Sequence, residues 1–223
     1  MSLTLGFDVY GTLIDTHGVI VELQKMIGDD AANFSQVWRE KQLEYTFRRG
    51  LMDKYQNFGV CTRDALEYTS RLLGHSLSEQ QRQTLLAAYS TLPAFPDAVK
   101  GLEGIRQAGH KMYAFSNGQA EAVDTVLTNA GIRDYFVGTV SVDAIGTFKP
   151  SPDTYNHFLD STGAQPDQAW LVSSNGFDVI GAVAIGMNAA WIQRSSAVVF
   201  DPWEFEPTVI LDSLEKLAAS MEN

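Results

Sequence analysis

The stretch that decides the fold is residues 5–15, which read LGFDVYGTLID. It begins as a short apolar run, the pattern of a strand that is buried on both faces. The run ends at Asp8, and Gly11 and Thr12 follow closely. A carboxylate at this point costs free energy to bury unless it is paired or hydrogen-bonded. Asp8 is therefore either a nucleophile or metal ligand at the sheet edge where α/β proteins bind ligands, or a residue that turns the chain.

Composition limits the kinds of partner. The 223 residues, 45% of them hydrophobic, suffice for one large domain or for a core with a smaller insertion. The formal charge is −11 and no block of Lys and Arg offsets it, which argues against nucleic acid and anionic membranes. Cys61 is the single cysteine, so no internal disulfide can form. With no secretory leader and no apolar run of about 20 residues, we expect a cytoplasmic protein.

The order of the predicted elements indicates an α/β fold. From about residue 19 to residue 90 the pattern is helical throughout, and Ser78 with Gln81 forms a capping-box pattern. From residue 93 onward, strands predicted at 111–115, 140–142, 170–172 and 189–192 alternate with helices, the last near 213–219. Such alternation is typical of right-handed βαβ units and a parallel sheet. We predict a Rossmann-like core, residues 1–15 and 93–223, with an all-helical cap inserted as residues 16–92.

Polar side chains follow four apolar runs. They are Asp8 with Thr12, Ser116 with Asn117, Lys149, and the segment from Ser173 to Asp178. Each alone could be a turn, a solvated lysine or a helix-start acid, but the ends of parallel strands meet at one edge. There Asp8 would be a nucleophile. Lys149 would keep Asp8 and Asp178 ionised together, while Ser116 and Asn117 would bind a substrate anion.

Two of these motifs resemble the haloacid dehalogenase superfamily, and within it most closely the (S)-2-haloacid dehalogenases, also called L-2-haloacid dehalogenases. Phosphatases of the superfamily carry Asp-x-Asp at the first strand, where the second acid protonates the leaving alcohol. Here Tyr10 stands at that position, in FDVYGTL, and residues 173–178, SSNGFD, look like the dehalogenase form of the later motif. A halide leaves as an anion and needs no proton, so Tyr10 suits dehalogenation.

The resemblance extends into the predicted cap. Residues 38–46, WREKQLEYT, resemble the family's cap helix, whose arginine faces the active site. The resemblance implies that Arg39 abstracts the halide, helped by Asn117, with Phe58 lining the halide cradle. Without the resemblance, Arg39 would be interpreted as a surface arginine of a helix.

The resemblance assigns further roles residue by residue. Thr12, Ser173 and Asn175 would orient the nucleophile and the attacking water, and Tyr155 matches the family tyrosine near the lysine. Ser116 would anchor the substrate carboxylate with backbone amides beside Tyr10, and Val9 would also contact the substrate. The apolar wall around the substrate's alkyl group would comprise Tyr10, Leu43, Phe58 and Phe177. Phe177 departs from the tryptophan often found at that position.

The activity implied is hydrolysis of a short-chain (S)-2-haloacid to the (R)-2-hydroxyacid and halide. It would proceed through an ester on Asp8, with inversion at C2. The expected partner is a small 2-haloalkanoic acid, a homodimer is implied, and no metal, cofactor, nucleic acid or membrane is expected. Two alternatives stay open: a magnesium-dependent phosphatase of the same superfamily, and a non-catalytic protein that keeps the scaffold.

Overall fold

The core of the protein is a single parallel sheet. The computed structural model describes residues 2–221, so Met1, Glu222 and Asn223 of the predicted core lie outside the described residues. The strands are β1 (Thr4–Phe7), β2 (Lys111–Ser116), β3 (Gly138–Ser141), β4 (Ala169–Ser173), β5 (Asn188–Ile192) and β6 (Val209–Leu211). Their order is β3-β2-β1-β4-β5-β6, and every neighbouring pair is parallel. β1 is a central strand, which explains why Leu5 and Phe7 are fully buried.

Helices cover the sheet and fill the segment between its first two strands in sequence. α1 (Ile20–Ile27), α2 (Ala31–Leu51), α3 (Phe58–Leu72) and α4 (Glu79–Ala88) lie between β1 and β2. The others are α5 (Ala98–Gln107), α6 (Ala120–Asn129), α7 (Pro152–Thr162), α8 (Gly176–Ala184) and α9 (Leu217–Ser220). The predicted α/β fold with a parallel sheet is confirmed. No helix among residues 2–221 is long and apolar enough to cross a bilayer.

Sequence pattern and structure agree closely in the interior and less well at the chain's end. The predicted capping box is present, since Ser78 and Gln81 satisfy each other's backbone N–H groups at the start of α4. β6 is not predicted; it is a short run of three apolar residues at the sheet edge, where Ile210 is 53% exposed. The predicted helix at 213–219 is a 3₁₀ turn at 214–216 followed by α9.

The strand register brings the predicted site residues to one edge of the sheet. Phe7 of β1 pairs with Ala114 of β2 on one side and with Val172 of β4 on the other. Asp8 comes next, and its N–H donates to the Val172 carbonyl at 2.9 Å. The residues that follow these three strands therefore lie side by side, where parallel strands form ligand sites.

The two points where the chain leaves and re-enters the sheet are hydrogen-bonded to each other. The Asp15 N–H donates to the Pro93 carbonyl, and the Phe95 N–H donates to the Leu13 carbonyl, both at 2.8 Å. Between these points α2 packs along α3, and the buried Trp38 indole donates to the Thr62 carbonyl at 2.9 Å. The domain division at residues 16 and 92 stays a prediction.

One close helix–helix contact fixes the position of a site residue. α7 and α8 pack together at Gly181, where a Cβ atom would stand only 2.6 Å from Cε2 of Tyr155. Tyr155 is fully buried on α7, so the ring has no free space into which it could move. Gly181 is therefore a packing requirement.

Gly181→Ala is expected to lower the free energy of unfolding by about 1–3 kcal/mol, because an added methyl group overpacks the contact with Tyr155. Gly104→Ala in α5 is the matched control, since a Cβ there meets Ala218 at an ordinary 3.5 Å. The control should gain up to about 1 kcal/mol from helix propensity. Urea unfolding of both variants measures the difference; equal stabilities would contradict the argument.

Candidate active site

Asp8 lies at the centre of the edge formed by β1, β2 and β4. Its side chain is buried, and Oδ2 accepts hydrogen bonds from Thr12 Oγ1 at 2.9 Å and from Asn175 Nδ2 at 2.7 Å. Oδ1 lies 3.5 Å from the ammonium group of Lys149. Two neutral donors thus hold one oxygen of the carboxylate, and the other oxygen faces a cation.

The loop after β1 is a tight turn. The N–H groups of Leu13 and Ile14 both donate to the Val9 carbonyl, at 3.0 and 2.9 Å. Gly11 has a φ of +92°, a conformation that strongly favours glycine. The turn brings the Thr12 hydroxyl back to the carboxylate four residues earlier. Val9 itself is fully buried, so the predicted substrate contact at this position could involve only its backbone.

The two serines after β4 have different contacts. The buried Ser173 hydroxyl accepts from the Asn175 N–H at 3.1 Å, so it orients the asparagine rather than Asp8 directly. Ser174 was not among the predicted site residues, yet its N–H donates to Thr12 Oγ1 at 2.9 Å and its hydroxyl donates to the Gly11 carbonyl at 2.6 Å. The pair of adjacent serines was the available signal, but sequence alone does not tell which hydroxyl faces the loop.

Lys149 is fully buried and bridges the strand ends. Its ammonium group donates to Asp178 Oδ2 at 2.9 Å and to the Phe115 carbonyl at 2.8 Å, besides its contact with Asp8. The Lys149 N–H donates to Asn117 Oδ1 at 3.0 Å. The predicted solvent-exposed alternative for this lysine is therefore wrong. The buried ammonium group of Lys149 thus contacts two buried carboxylates, Asp8 and Asp178.

Asp178 is the second buried carboxylate. Burial raises its pKa and so does the charge of Asp8, whereas the ammonium group of Lys149 acts in the opposite direction. The Tyr155 hydroxyl donates to Asp178 Oδ1 at 2.8 Å, which also favours the ionised form. Burial raises the pKa of Tyr155 well above its ordinary value, so this phenol stays protonated and remains a donor.

The end of β2 leads into the start of α6. The buried Ser116 hydroxyl accepts from the Gly118 N–H at 3.0 Å, and the Ser141 hydroxyl donates to the Gly118 carbonyl at 2.7 Å. The ring of Tyr10 packs over Gly118, where a Cβ atom would come within 3.3 Å of it. The positive end of the α6 dipole and the neighbouring hydroxyl suit a small anion.

Arg39 connects α2 to the loop after β1. Its Nη2 donates to the Tyr10 carbonyl at 3.1 Å, and the Asn175 side chain donates to the same carbonyl at 3.4 Å. Its Nη1 donates to Gln42 Oε1 at 2.7 Å. Burial lowers the pKa of Arg39, but from so high an ordinary value that the side chain stays a cation. The structure places Arg39 at the loop and not at the solvated surface.

Aromatic rings line a small cavity of about 370 Å³. Tyr10 stacks on Phe58 with ring centroids 5.7 Å apart, and Tyr89 approaches Tyr10 at 6.3 Å. All three line the cavity together with Gly118. Burial raises the pKa of Tyr10 to about 12, against the lowering effect of Arg39. Tyr10 is thus a very weak acid at the position where a phosphatase has a carboxylic acid.

The predicted apolar wall is only partly brought together. Phe177 lines a second, larger cavity of about 1090 Å³, where it packs edge-on against Phe47 at 5.0 Å. Lys149 lines this cavity too. Leu43 is half-buried on α2 and is among the lining residues of neither cavity. The structure therefore groups Tyr10 with Phe58 and sets Phe177 apart from them.

The chemistry available at this edge is nucleophilic. An ionised, oriented carboxylate can displace a leaving group, and a second buried carboxylate can assist hydrolysis of the resulting ester. Burial raises the pKa of Cys61 to about 11, so its thiol is not a competing nucleophile at neutral pH. Among residues 2–221, no three His, Cys, Asp or Glu side chains form a group that could hold a metal ion.

Comparisons with known proteins identify the family of this chain. A family model described as haloacid dehalogenase-like hydrolase matches residues 4–186. The (S)-2-haloacid dehalogenase of Pseudomonas sp. (strain YL) is 37% identical over 194 residues, which cover 87% of this chain and 84% of that protein. The (S)-2-haloacid dehalogenase of Xanthobacter autotrophicus is 39% identical over 190 residues, covering 85% and 74%.

A solved structure matches over the full length. The L-2-haloacid dehalogenase from Xanthobacter autotrophicus with chloropropionic acid covalently bound superposes with a TM-score of 0.91 at 32% identity. The match covers 100% of this chain and 99% of that chain. Sequence and fold thus agree along most of the chain, which belongs to the haloacid dehalogenase-like hydrolases and, within them, to the (S)-2-haloacid dehalogenase family.

Proposed function

We propose that this protein hydrolyses short-chain (S)-2-haloacids to (R)-2-hydroxyacids and halide. The observation that carries the proposal is the buried Asp8 carboxylate, held on one oxygen by two donors, with the non-acidic Tyr10 two residues on. The structure of the Xanthobacter autotrophicus enzyme with chloropropionic acid covalently bound supports a covalent intermediate here. No metal or other cofactor enters the proposal.

In the first step, Asp8 Oδ1 attacks C2 of the substrate from the side opposite the halogen. The C–O bond forms as the carbon–halogen bond breaks, the halide departs with the electron pair, and C2 is inverted. Arg39 would receive the halide, helped by Asn117, in a cradle lined by Phe58. Ser116 and the backbone amides near Tyr10, at the start of α6, would hold the substrate carboxylate.

In the second step, water attacks the carboxyl carbon of Asp8 and gives a proton to Asp178. The bond from that carbon to the ester oxygen breaks, and the departing alkoxide takes the proton from Asp178 to give the hydroxyacid. The regenerated Asp8 carboxyl group then releases its remaining proton to solvent. Oδ2 carries the negative charge of the tetrahedral intermediate. Because Thr12 and Asn175 already donate to Oδ2, they form a preorganised oxyanion hole.

The organisation of the molecule follows from the same proposal. We infer that residues 16–92 act as a cap over a core of residues 1–15 and 93–223, because Arg39 reaches from α2 to the Tyr10 carbonyl. We also propose a cytoplasmic homodimer with no nucleic-acid partner. The charge of −11 and the single, buried Cys61 are compatible with this. Light scattering tests the dimer.

One assay distinguishes the proposal from a phosphatase. Halide release from each enantiomer of 2-chloropropionate is measured beside phosphate release from a generic phosphate ester with magnesium. Halide from the (S)-enantiomer alone, with (R)-lactate as product, supports the proposal. Phosphate release without halide release overturns it, and no release of either would favour a non-catalytic protein. The weak acidity of Tyr10 disfavours the phosphatase.

A single turnover in heavy-oxygen water should place the label in Asp8, because water attacks the carboxyl carbon and not C2. The enzyme is used in excess over (S)-2-chloropropionate, and mass spectrometry of its peptides locates the label. The peptide that contains Asp178 is the internal control and should stay unlabelled. Label found only in the hydroxyacid excludes the ester route.

Asn175→Leu should produce a burst of halide equal to the enzyme concentration, followed by slow turnover. Loss of one oxyanion-hole donor slows the hydrolysis step about 10²–10³-fold. The rate of the displacement step should fall less, because loss of the Asn175 hydrogen bond to Oδ2 does not weaken Asp8 as a nucleophile. Rapid-quench measurements of halide resolve the two phases. The control is Asn156→Leu, the same substitution at an exposed asparagine. Equal slowing of both phases would contradict the oxyanion role.

Tyr155→Phe should move the acid limb of the pH profile of the hydrolysis step to higher pH. The lost hydrogen bond favours ionised Asp178, so its pKa rises further without it. At any pH within the acid limb, a smaller fraction of Asp178 is then ionised and able to act as the base. The decay of the ester, followed against pH, measures the shift. Tyr113→Phe is the control, and an unmoved limb would remove Asp178 from the base role.

A further inference from the structure

Gln42 is a fully buried polar residue in α2, one turn after Arg39. A buried amide costs free energy unless its donors and acceptor find partners. Its Oε1 accepts from Arg39 Nη1 at 2.7 Å, and its Nε2 donates to the hydroxyl of Thr62 in α3. Both ends of the amide are therefore engaged, one of them by the cation proposed to receive the halide.

The direction of these hydrogen bonds is fixed by one proton. The Thr62 hydroxyl donates its only hydrogen to the Phe58 carbonyl at 2.8 Å, so toward Gln42 it can only accept. The Gln42 NH₂ group must therefore face Thr62, and its carbonyl oxygen must face Arg39. A flipped amide would set NH₂ against the guanidinium and leave the Thr62 oxygen facing another acceptor. The hydrogen bonds that link Arg39, Gln42 and Thr62 are called the relay below. The Trp38 indole donates to the Thr62 backbone carbonyl at 2.9 Å and so holds the end of the relay that is farther from Arg39.

The guanidinium of Arg39 is thereby held from two sides. Nη1 is tied to Gln42 within the helical segment, and Nη2 is tied to the Tyr10 carbonyl in the loop that follows β1. A guanidinium is planar and has five N–H groups, so two such bonds set the orientation of the plane and leave three donors for a ligand. Without Gln42, the group could rotate about its remaining bond.

We propose that Gln42 and Thr62 are positioning residues that aim the Arg39 guanidinium at the departing halide. This inference rests on the proposed function, in which Arg39 receives the halide. A purely structural role, in which the relay only joins α2 to α3, is the competing explanation. The two differ because only the positioning role links the relay to halide affinity and to the identity of the leaving group.

The test is Gln42→Met, which keeps the length of the side chain and removes both polar groups. Bromide binding to the free enzyme, measured by halide NMR line broadening, should weaken about tenfold or more. The rate of halide release should fall more for 2-chloropropionate than for 2-bromopropionate, because the poorer leaving group depends more on well-aimed donors. The matched control is Gln36→Met, an exposed position on the same helix.

Thr62 gives a second pair of variants. Thr62→Val removes the hydroxyl and should reproduce the Gln42→Met pattern in bromide affinity and in the chloride-to-bromide rate ratio. Thr62→Ser keeps the hydroxyl and should restore the unsubstituted values. A Thr62→Val variant that is less stable but unchanged in both readouts would assign the relay to helix packing and overturn the inference.

Bromide binding separates this inference from the proposed function. If the unsubstituted protein binds bromide in a Gln42-dependent manner but releases no halide from 2-haloacids, the positioning role stands and the reaction fails. If 2-haloacids are hydrolysed while Gln42→Met leaves bromide affinity and the leaving-group ratio unchanged, the reaction stands and the positioning role fails. Absence of bromide binding by the unsubstituted protein also overturns the inference.

Discussion

The contact on which the site depends is the buried Lys149 ammonium group between Asp8 and Asp178. Two carboxylates buried at one sheet edge repel each other, and each alone would take up a proton instead of staying charged. One ammonium group, 3.5 Å from the first and 2.9 Å from the second, offsets part of this cost by attracting both carboxylates. The Phe115 carbonyl accepts a further ammonium proton, so little of the cation's hydrogen-bonding capacity is left unused.

The sheet order makes this contact achievable. β1 lies between β2 and β4, so the residues that follow these three strands are neighbours, although those after β1 are more than 100 positions away in sequence from those after β2 and β4. Lys149 enters from the segment between β3 and α7, and Asn117 holds its backbone N–H. A buried ion cluster of this kind is weak evidence for stability. Its cost is better explained by the need for an ionised Asp8.

Much of this could be predicted from the sequence, because polar clusters that each have an ordinary explanation alone recur after four apolar runs whose ends meet at one sheet edge. Asp8, Lys149 and Asp178 were identified in that way. The roles of the adjacent Ser173 and Ser174 could not be separated, because the direction of a hydroxyl at a strand end depends on the local turn. β6 is not predicted for a different reason: its residues Val209–Leu211 are all apolar, but a run of three is shorter than the roughly four to eight residues typical of a buried strand.

The position of Arg39 cannot be predicted from the hydrophobic periodicity of α2. α2 contacts α3 on one side and the loop after β1 on another, so polar residues such as Gln42 and Thr46 are buried within a sequence that reads like a surface helix. An inward-facing arginine is therefore indistinguishable by pattern from a solvated one. Only tertiary contacts reveal that its guanidinium is hydrogen-bonded to the neutral Tyr10 carbonyl and to Gln42, while the charge of Asp8 also acts on it. A direct ion pair with Asp8 would weaken the nucleophile, whereas a cation bound to a neutral carbonyl stays available to an anion.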